Sequence, residues 1–201
     1  MSSQALSASR NRLEKTLAGD PDLPAMLDRF DRYGQDLWDG IEAVYDAHTV
    51  LPQIVDVIAR IHKGRSPRLR HRDNQRILRA DWFQDPNAIG YVCYTDLFAS
   101  NLQGIRSKID YLRSLGVTYL HLMPLLKPRP GNSDGGYAVM DYKSVRPDLG
   151  TMKDLAELAD DLHEAGISLT LDLVLNHVAK EHEWAQKARS GDEHYLDYFY
   201  V

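Results

Sequence analysis

The fold class predicted for this chain is α/β, with helices alone up to about residue 85 and alternating strands and helices from residue 86 onward. Two observations carry this. Apolar residues recur at three- and four-residue steps in the first part, and short, almost continuous apolar runs separated by helical patterns replace them in the second. Near-continuous apolar strands joined through helices imply a parallel sheet with right-handed crossovers.

In the first part, Phe30, Tyr33, Leu37, Ile41 and Val44 mark one helical stripe, and Leu51, Ile54, Ile58 and Ile61 mark another. Each spacing lays its residues along one face of a helix. Asp20-Pro21 and Ser66-Pro67 punctuate the segments, because the residue before proline avoids the helical region. After Asp85-Pro86, strands are expected near residues 89–94, 117–123 and 168–174. Between the first two, Leu102, Ile105, Ile109, Leu112 and Leu115 mark a helix closed by Gly116. Residues 124–150 read as a long loop rich in proline and glycine, and such length within a domain points to function. Thr151 and Asp154 resemble a capping box, and Leu155, Leu158, Ala159 and Leu162 continue that helix to Gly166.

Composition excludes several classes. With 43% hydrophobic and 26% charged residues in 201, the chain reads as an ordinary soluble protein. A lone cysteine, Cys93, rules out an internal disulfide framework and suits a reducing compartment; its apolar surroundings suggest a buried thiol. The N-terminus shows no apolar signal core and no run is long enough for a membrane span, so the expectation is a cytoplasmic protein without a membrane partner. The net charge is −5, yet residues 60–79 carry eight basic residues against the single acid Asp73. Setting that stretch apart from the 24 basic and 29 acidic residues leaves 16 and 28, so the remainder has a net charge of −12. Such a remainder repels phosphate, and the stretch lacks interleaved aromatics. It reads as a solvated or internally paired surface rather than a nucleic-acid site.

Chemistry concentrates at two strand ends. Gly-Val-Thr-Tyr-Leu-His-Leu-Met-Pro (116–124) leads into Asn-Ser-Asp-Gly-Gly-Tyr-Ala-Val-Met-Asp-Tyr (132–142), and Leu-Thr-Leu-Asp-Leu-Val-Leu-Asn-His spans 169–177. Each apolar strand ends in polar groups: Asp134 and Tyr137 beyond the one, Asp172, Asn176 and His177 at the end of the other. A strand that turns polar at its C-terminal end is how (β/α) barrels build a pocket.

The segments 116–124, 134–150 and 172–177 resemble the second- and third-strand regions of the α-amylase superfamily, glycoside hydrolase family 13, over about residues 86–201. Most members read Gly-Tyr-Asp where this chain has Gly136-Tyr137-Ala138. The fuller string Ser-Asp-Gly-Gly-Tyr-Ala-Val, with a helical domain before the barrel, is similar to the amylosucrase branch, which shares its architecture with sucrose hydrolases. The resemblance implies a helical domain over 1–85, the first three units of a (β/α)8 TIM barrel over 86–176, and the opening of an inserted domain over 177–201. It further implies an enzyme that moves glucose from sucrose to an α-1,4-glucan acceptor and releases fructose. Tyr137 would stack on the donor glucose, Asp134 would lie at the pocket bottom, and His177 would donate to a sugar hydroxyl. Asp172 would stand behind them holding an arginine. Asn176 resembles a calcium ligand of many amylases, but amylosucrases manage without calcium, and neither a metal nor another cofactor is expected.

Retaining enzymes of this kind need a carboxylate nucleophile and an acid/base about 5 Å apart. The resemblance puts both on later strands, beyond Val201, so no catalytic carboxylate is expected in this chain and it should be inactive by itself. Non-catalytic alternatives are a half-barrel scaffold or binding module, or a partner-binding helical domain fused to a barrel piece.

Overall fold

The computed structural model describes residues 2–200 and divides into two compact units between Ala80 and Asp81.

The first unit is helical throughout: α1 (Ser2–Thr16), α2 (Leu23–Glu42), α3 (Ala47–Gly64) and α4 (Pro67–Leu78). Short side chains start the last two. The Asp46 carboxylate accepts from the His48 N–H, and the Ser66 hydroxyl accepts from the Leu69 N–H, with Pro67 where a helix tolerates proline. The core is Leu13, Leu17, Trp38, Ile41, Leu51, Val55 and Ala59. This corrects the α3 stripe. Ile61 is exposed and Ile54 and Ile58 only partly covered, while Leu51, Val55, Ala59 and His62 face inward. Both stripes satisfy the helical period. The buried one carries the smaller Val55 and Ala59, which let neighbouring helices approach closely. On α2, Gly34, Trp38 and Ile41 are buried and Tyr33 is exposed; Val44 lies past the end of the helix and is exposed too.

The second unit begins with a 3-10 turn at Trp82–Gln84 and contains β1 (Ile89–Cys93), β2 (Val117–Leu122) and β5 (Ser168–Leu171), parallel in the order β1-β2-β5. Between β1 and β2 a short helix, α5 (Thr95–Ala99), precedes the single expected helix, which is two pieces, α6 (Leu102–Ser107) and α7 (Ile109–Ser114). Asn101 restarts the helix by accepting from the Gly104 N–H at 2.8 Å. Gly104 is required there, since a Cβ would stand 1.8 Å from the Ala99 carbonyl oxygen. Leu102, Ile105 and Leu112 still reach the core together with Leu120 and Leu122 of β2. After β2 comes α8 (Met152–Glu164), which opens with the expected Thr151/Asp154 capping box and buries Leu155, Leu158 and Leu162. The third strand stops at Leu171 rather than 174. Leu171 pairs with Leu122, the last residue of β2, so the ladder has no partner beyond that point.

Residues 124–150 are more than a loop. β3 (Leu126–Pro128) pairs antiparallel with β4 (Val139–Val145). Prolines hid this short edge strand, yet an edge is where a strand tolerates them. The chain after β5 is tied to β4. The Tyr142 hydroxyl donates to the Val174 carbonyl, and the Ala179 N–H donates to the Val139 carbonyl at 2.8 Å. Two short helices follow, α9 (Glu183–Arg189) and α10 (Glu193–Leu196). Among the described residues, no helix is long and apolar enough to cross a membrane.

Candidate functional site

Alternation along the parallel strands sorts their side chains. Leu120 and Leu122 of β2 pack toward the helices, as do Tyr91 and Cys93 of β1 and Leu169 of β5. The intervening residues take the opposite face. Val92, His121 and Thr170 stand in register across the three strands, so His121 lies at the centre of that face near its C-terminal edge. Tyr94 and Asp172 come one residue past the ends of β1 and β5. Lower on the same face, Gly90 leaves room for the Tyr119 ring, whose atoms come within 2.2 Å of where a Cβ would sit.

The Asp-Gly-Gly string brings in Tyr137. Asp134, Gly135 and Gly136 have φ of 53°, 65° and 99°, three consecutive left-handed residues. Glycine takes this conformation freely and aspartate better than most side chains, which accounts for the composition of the turn. The turn is closed by the Gly136 and Ala138 N–H groups on the Ser133 carbonyl, at 3.1 and 3.0 Å. A Cβ at Gly135 would lie 3.2 Å from the Tyr94 hydroxyl, so that hydroxyl rests against the bare turn.

Asp172 ties these elements together. Its Oδ1 is 3.0 Å from His121 Nε2, and its Oδ2 accepts from the Tyr137 hydroxyl at 3.1 Å. Both oxygens are therefore engaged, one from the central strand and one from the Asp-Gly-Gly turn. Burial, then the bond to Asp172, raises the Tyr137 pKa above its ordinary value of 10.0, so the phenol stays protonated and donates. The nearby Tyr94 and Asp134 push in the same direction. Asp172 thus supports the ring of Tyr137, with His121 as its second partner among the described residues.

The expected residues are distributed unevenly. Tyr137 and Asp172 are bonded, and Asp134 stands three residues before Tyr137 with its carboxylate exposed. Asn176 and His177 are exposed on the segment held to β4 at Val174 and Ala179. Among the described residues, no hydrogen bond, ion pair or ring contact joins His177 to Tyr137 or Asp172. The sequence pattern does not single out His121 or Tyr94. The available signal was a lone imidazole in an apolar strand, which reads equally well as a satisfied core group.

One set of metal-ligand types occurs elsewhere. Asp20, Asp22 and His62 hold donor atoms within 4.8 Å of one another in the helical unit. Arg70 already occupies the set, with Nη1 at 3.1 and 2.9 Å from the Asp20 oxygens and 3.5 Å from Asp22. The guanidinium supplies the positive charge that a cation would bring. It also pairs one member of the basic stretch inward, and Arg65 donates to Asp73 at 2.8 Å.

Comparisons with known proteins match the part of the chain that carries these residues. The catalytic-domain model of the alpha-amylase family matches residues 70–201. An oligo-1,6-glucosidase of Parageobacillus thermoglucosidasius is 40% identical over 100 residues, covering 49% of this chain and 17% of that protein. Among solved structures, a trehalose-6-phosphate hydrolase of Bacillus licheniformis is similar at 34% identity and TM-score 0.53, covering 60% of this chain and 22% of its own. A MutB variant solved with the substrate sucrose is similar at 32% identity and TM-score 0.51, covering 57% and 22%. The chain spans about a fifth of the length of the relatives it matches.

Proposed function

From the premise that this chain belongs to the alpha-amylase catalytic-domain family, we propose that it is the N-terminal portion of an amylosucrase-like glucosyltransferase. In this reading, residues 1–85 form the helical domain, 86–176 the first part of the barrel, and 177–201 the opening of the inserted domain. The enzyme takes the glucosyl unit from sucrose, releases fructose and extends an α-1,4-glucan with retention of anomeric configuration. The observation that carries it is the Tyr137–Asp172–His121 chain of contacts at the C-terminal ends of parallel strands, reached through the Ser-Asp-Gly-Gly-Tyr-Ala-Val string.

Each residue then has a role its chemistry suits. The Tyr137 ring offers an apolar platform to the C–H face of the donor glucose, and its hydroxyl is turned away to Asp172. Asp134, exposed in its turn, accepts from sugar hydroxyls. His177 donates to a hydroxyl once the sugar is bound, and Asn176 steadies the segment that carries it. Asp172, committed as an acceptor on both oxygens, is a support and not a proton donor. The nucleophile and the acid/base belong to later strands.

A hydrolase is the second reading, favoured by the oligo-1,6-glucosidase similarity. A sucrose-cleaving or other α-glucosidase would use the same glucose contacts and pass the glucosyl group to water. The two are separated by incubating the protein carrying the complete barrel with sucrose and an α-glucan primer. Free fructose with glucan elongation supports transfer. Equal glucose and fructose supports hydrolysis, and release from an α-1,6-glucoside alone would overturn the sucrose assignment. The 201-residue chain by itself is expected to release no fructose, because positioned carboxylates supply much of the roughly 8–23 kcal/mol by which enzymes lower barriers.

A further inference from the structure

His121 is part of that chain of contacts but has no role of its own in the reading, and its position is specific. It sits on β2, the central strand, with Val92 and Thr170 as registered neighbours on either side. Ladders on both flanks hold its backbone. Asp172, by contrast, lies one residue past the last paired position of β5, and Tyr137 follows three left-handed residues. Neither has a strand ladder to fix its side chain. A carboxylate only accepts, so the 3.0 Å contact puts a hydrogen on His121 Nε2 pointing at Oδ1. The other oxygen takes the Tyr137 hydroxyl.

We propose that His121 is a positioning residue for sugar recognition: acting through Asp172, it fixes the tilt of the Tyr137 ring against which a glucopyranose stacks. This rests on the reading that Tyr137 faces the donor sugar. Order passes from the central strand to the imidazole, from there to the carboxylate, and then to the ring. Without the Nε2 hydrogen, Asp172 turns to other rotamers and the platform is no longer preorganised. The loss falls on binding of the glucosyl donor, because the ring contacts the sugar's apolar face and not the bond that breaks.

The test uses the protein with the complete barrel and whichever α-glucoside the wild type turns over fastest. His121→Asn keeps a polar amide but ends short of Asp172, whereas His121→Gln places an N–H near the Nε2 position. His121→Asn is expected to raise KM about tenfold with kcat within about twofold, and His121→Gln to stay within about threefold of wild type. Tyr137→Phe breaks the same tether, so combining it with His121→Asn should add little to either change alone. A wild-type KM in His121→Asn, equal impairment by Asn and Gln, or fully multiplicative effects would each overturn the proposal. Tyr137→Ala separates the two levels. If it leaves KM unchanged, the sugar-site reading fails; if it raises KM while His121→Asn does not, only the positioning role fails.

Discussion

Each unit holds a histidine against an aspartate, and the two pairs differ in what surrounds them. His62 and Asp20 are 3.2 Å apart with side chains 10% and 13% exposed. Arg70 bonds the same carboxylate, and the Asp22 N–H donates to it at 3.0 Å. His121 and Asp172 are 3.0 Å apart but 32% and 23% exposed, with a tyrosine in place of the cation. The first pair is enclosed and has a guanidinium against its carboxylate. The second stands at an open sheet end beside exposed Asp134. The same two residue types thus make a structural clamp in the helical unit and the framework of a binding site in the β/α unit. Enclosure and a neighbouring cation separate them, not the pair itself.

Core packing is where the two units should agree. Leu120 and Leu51 are both fully buried, and either leucine replaced by alanine should cost about 3–5 kcal/mol in urea unfolding. A much smaller cost at Leu120 would mean that the three-stranded sheet is not packed as described. The polar groups are where they should part. Arg70→Leu leaves Asp20 and Asp22 without their cation and should cost about 2–4 kcal/mol, while His121→Gln should cost under about 1 kcal/mol. Equal costs would erase the distinction between clamp and site.

Acid provides a third comparison. The Asp22 N–H, with help from His62 and Arg70, lowers the Asp20 pKa from 3.8 to about 2. A carboxylate depressed in the folded state stabilises it above the unfolded pKa and loses that contribution as the pH falls toward the folded value. The helical unit should therefore lose the Asp20 contribution between about pH 4 and pH 2, and Asp20→Asn should flatten that limb of a melting-temperature profile. An unchanged profile would place the acid sensitivity elsewhere. The last prediction concerns Cys93, whose thiol burial pushes up to about 11 from 9.0. Alkylation in the native protein at neutral pH should be about a hundredfold slower than after denaturation. Equal rates would show that β1 opens readily.

The fold was legible where a period runs uninterrupted. The α8 stripe and its capping box, the buried leucines of β2 and the turn glycines Gly116 and Gly166 follow from spacing alone. Choice of face on α3 was not, because two adjacent stripes satisfy the same period and packing selects the one with Val55 and Ala59. The β3–β4 hairpin is hidden in the sequence because the three residues of β3 lie among prolines. At the site, Asp134, Tyr137 and Asp172 stood out as polar groups at apolar strand ends. His121 did not, since only the side-chain contact with Asp172 across 51 positions of sequence gives its imidazole a purpose.

The central claim is that the strand-end cluster holds the donor sugar. It is tested most directly by kcat/KM for sucrose in the complete-barrel enzyme and in its Tyr137→Ala variant, with melting temperatures measured on both. Loss of the aromatic platform is expected to lower kcat/KM by about a hundredfold or more while the melting temperature moves little. An unchanged kcat/KM in a folded variant would contradict the assignment of Tyr137, and with it the site.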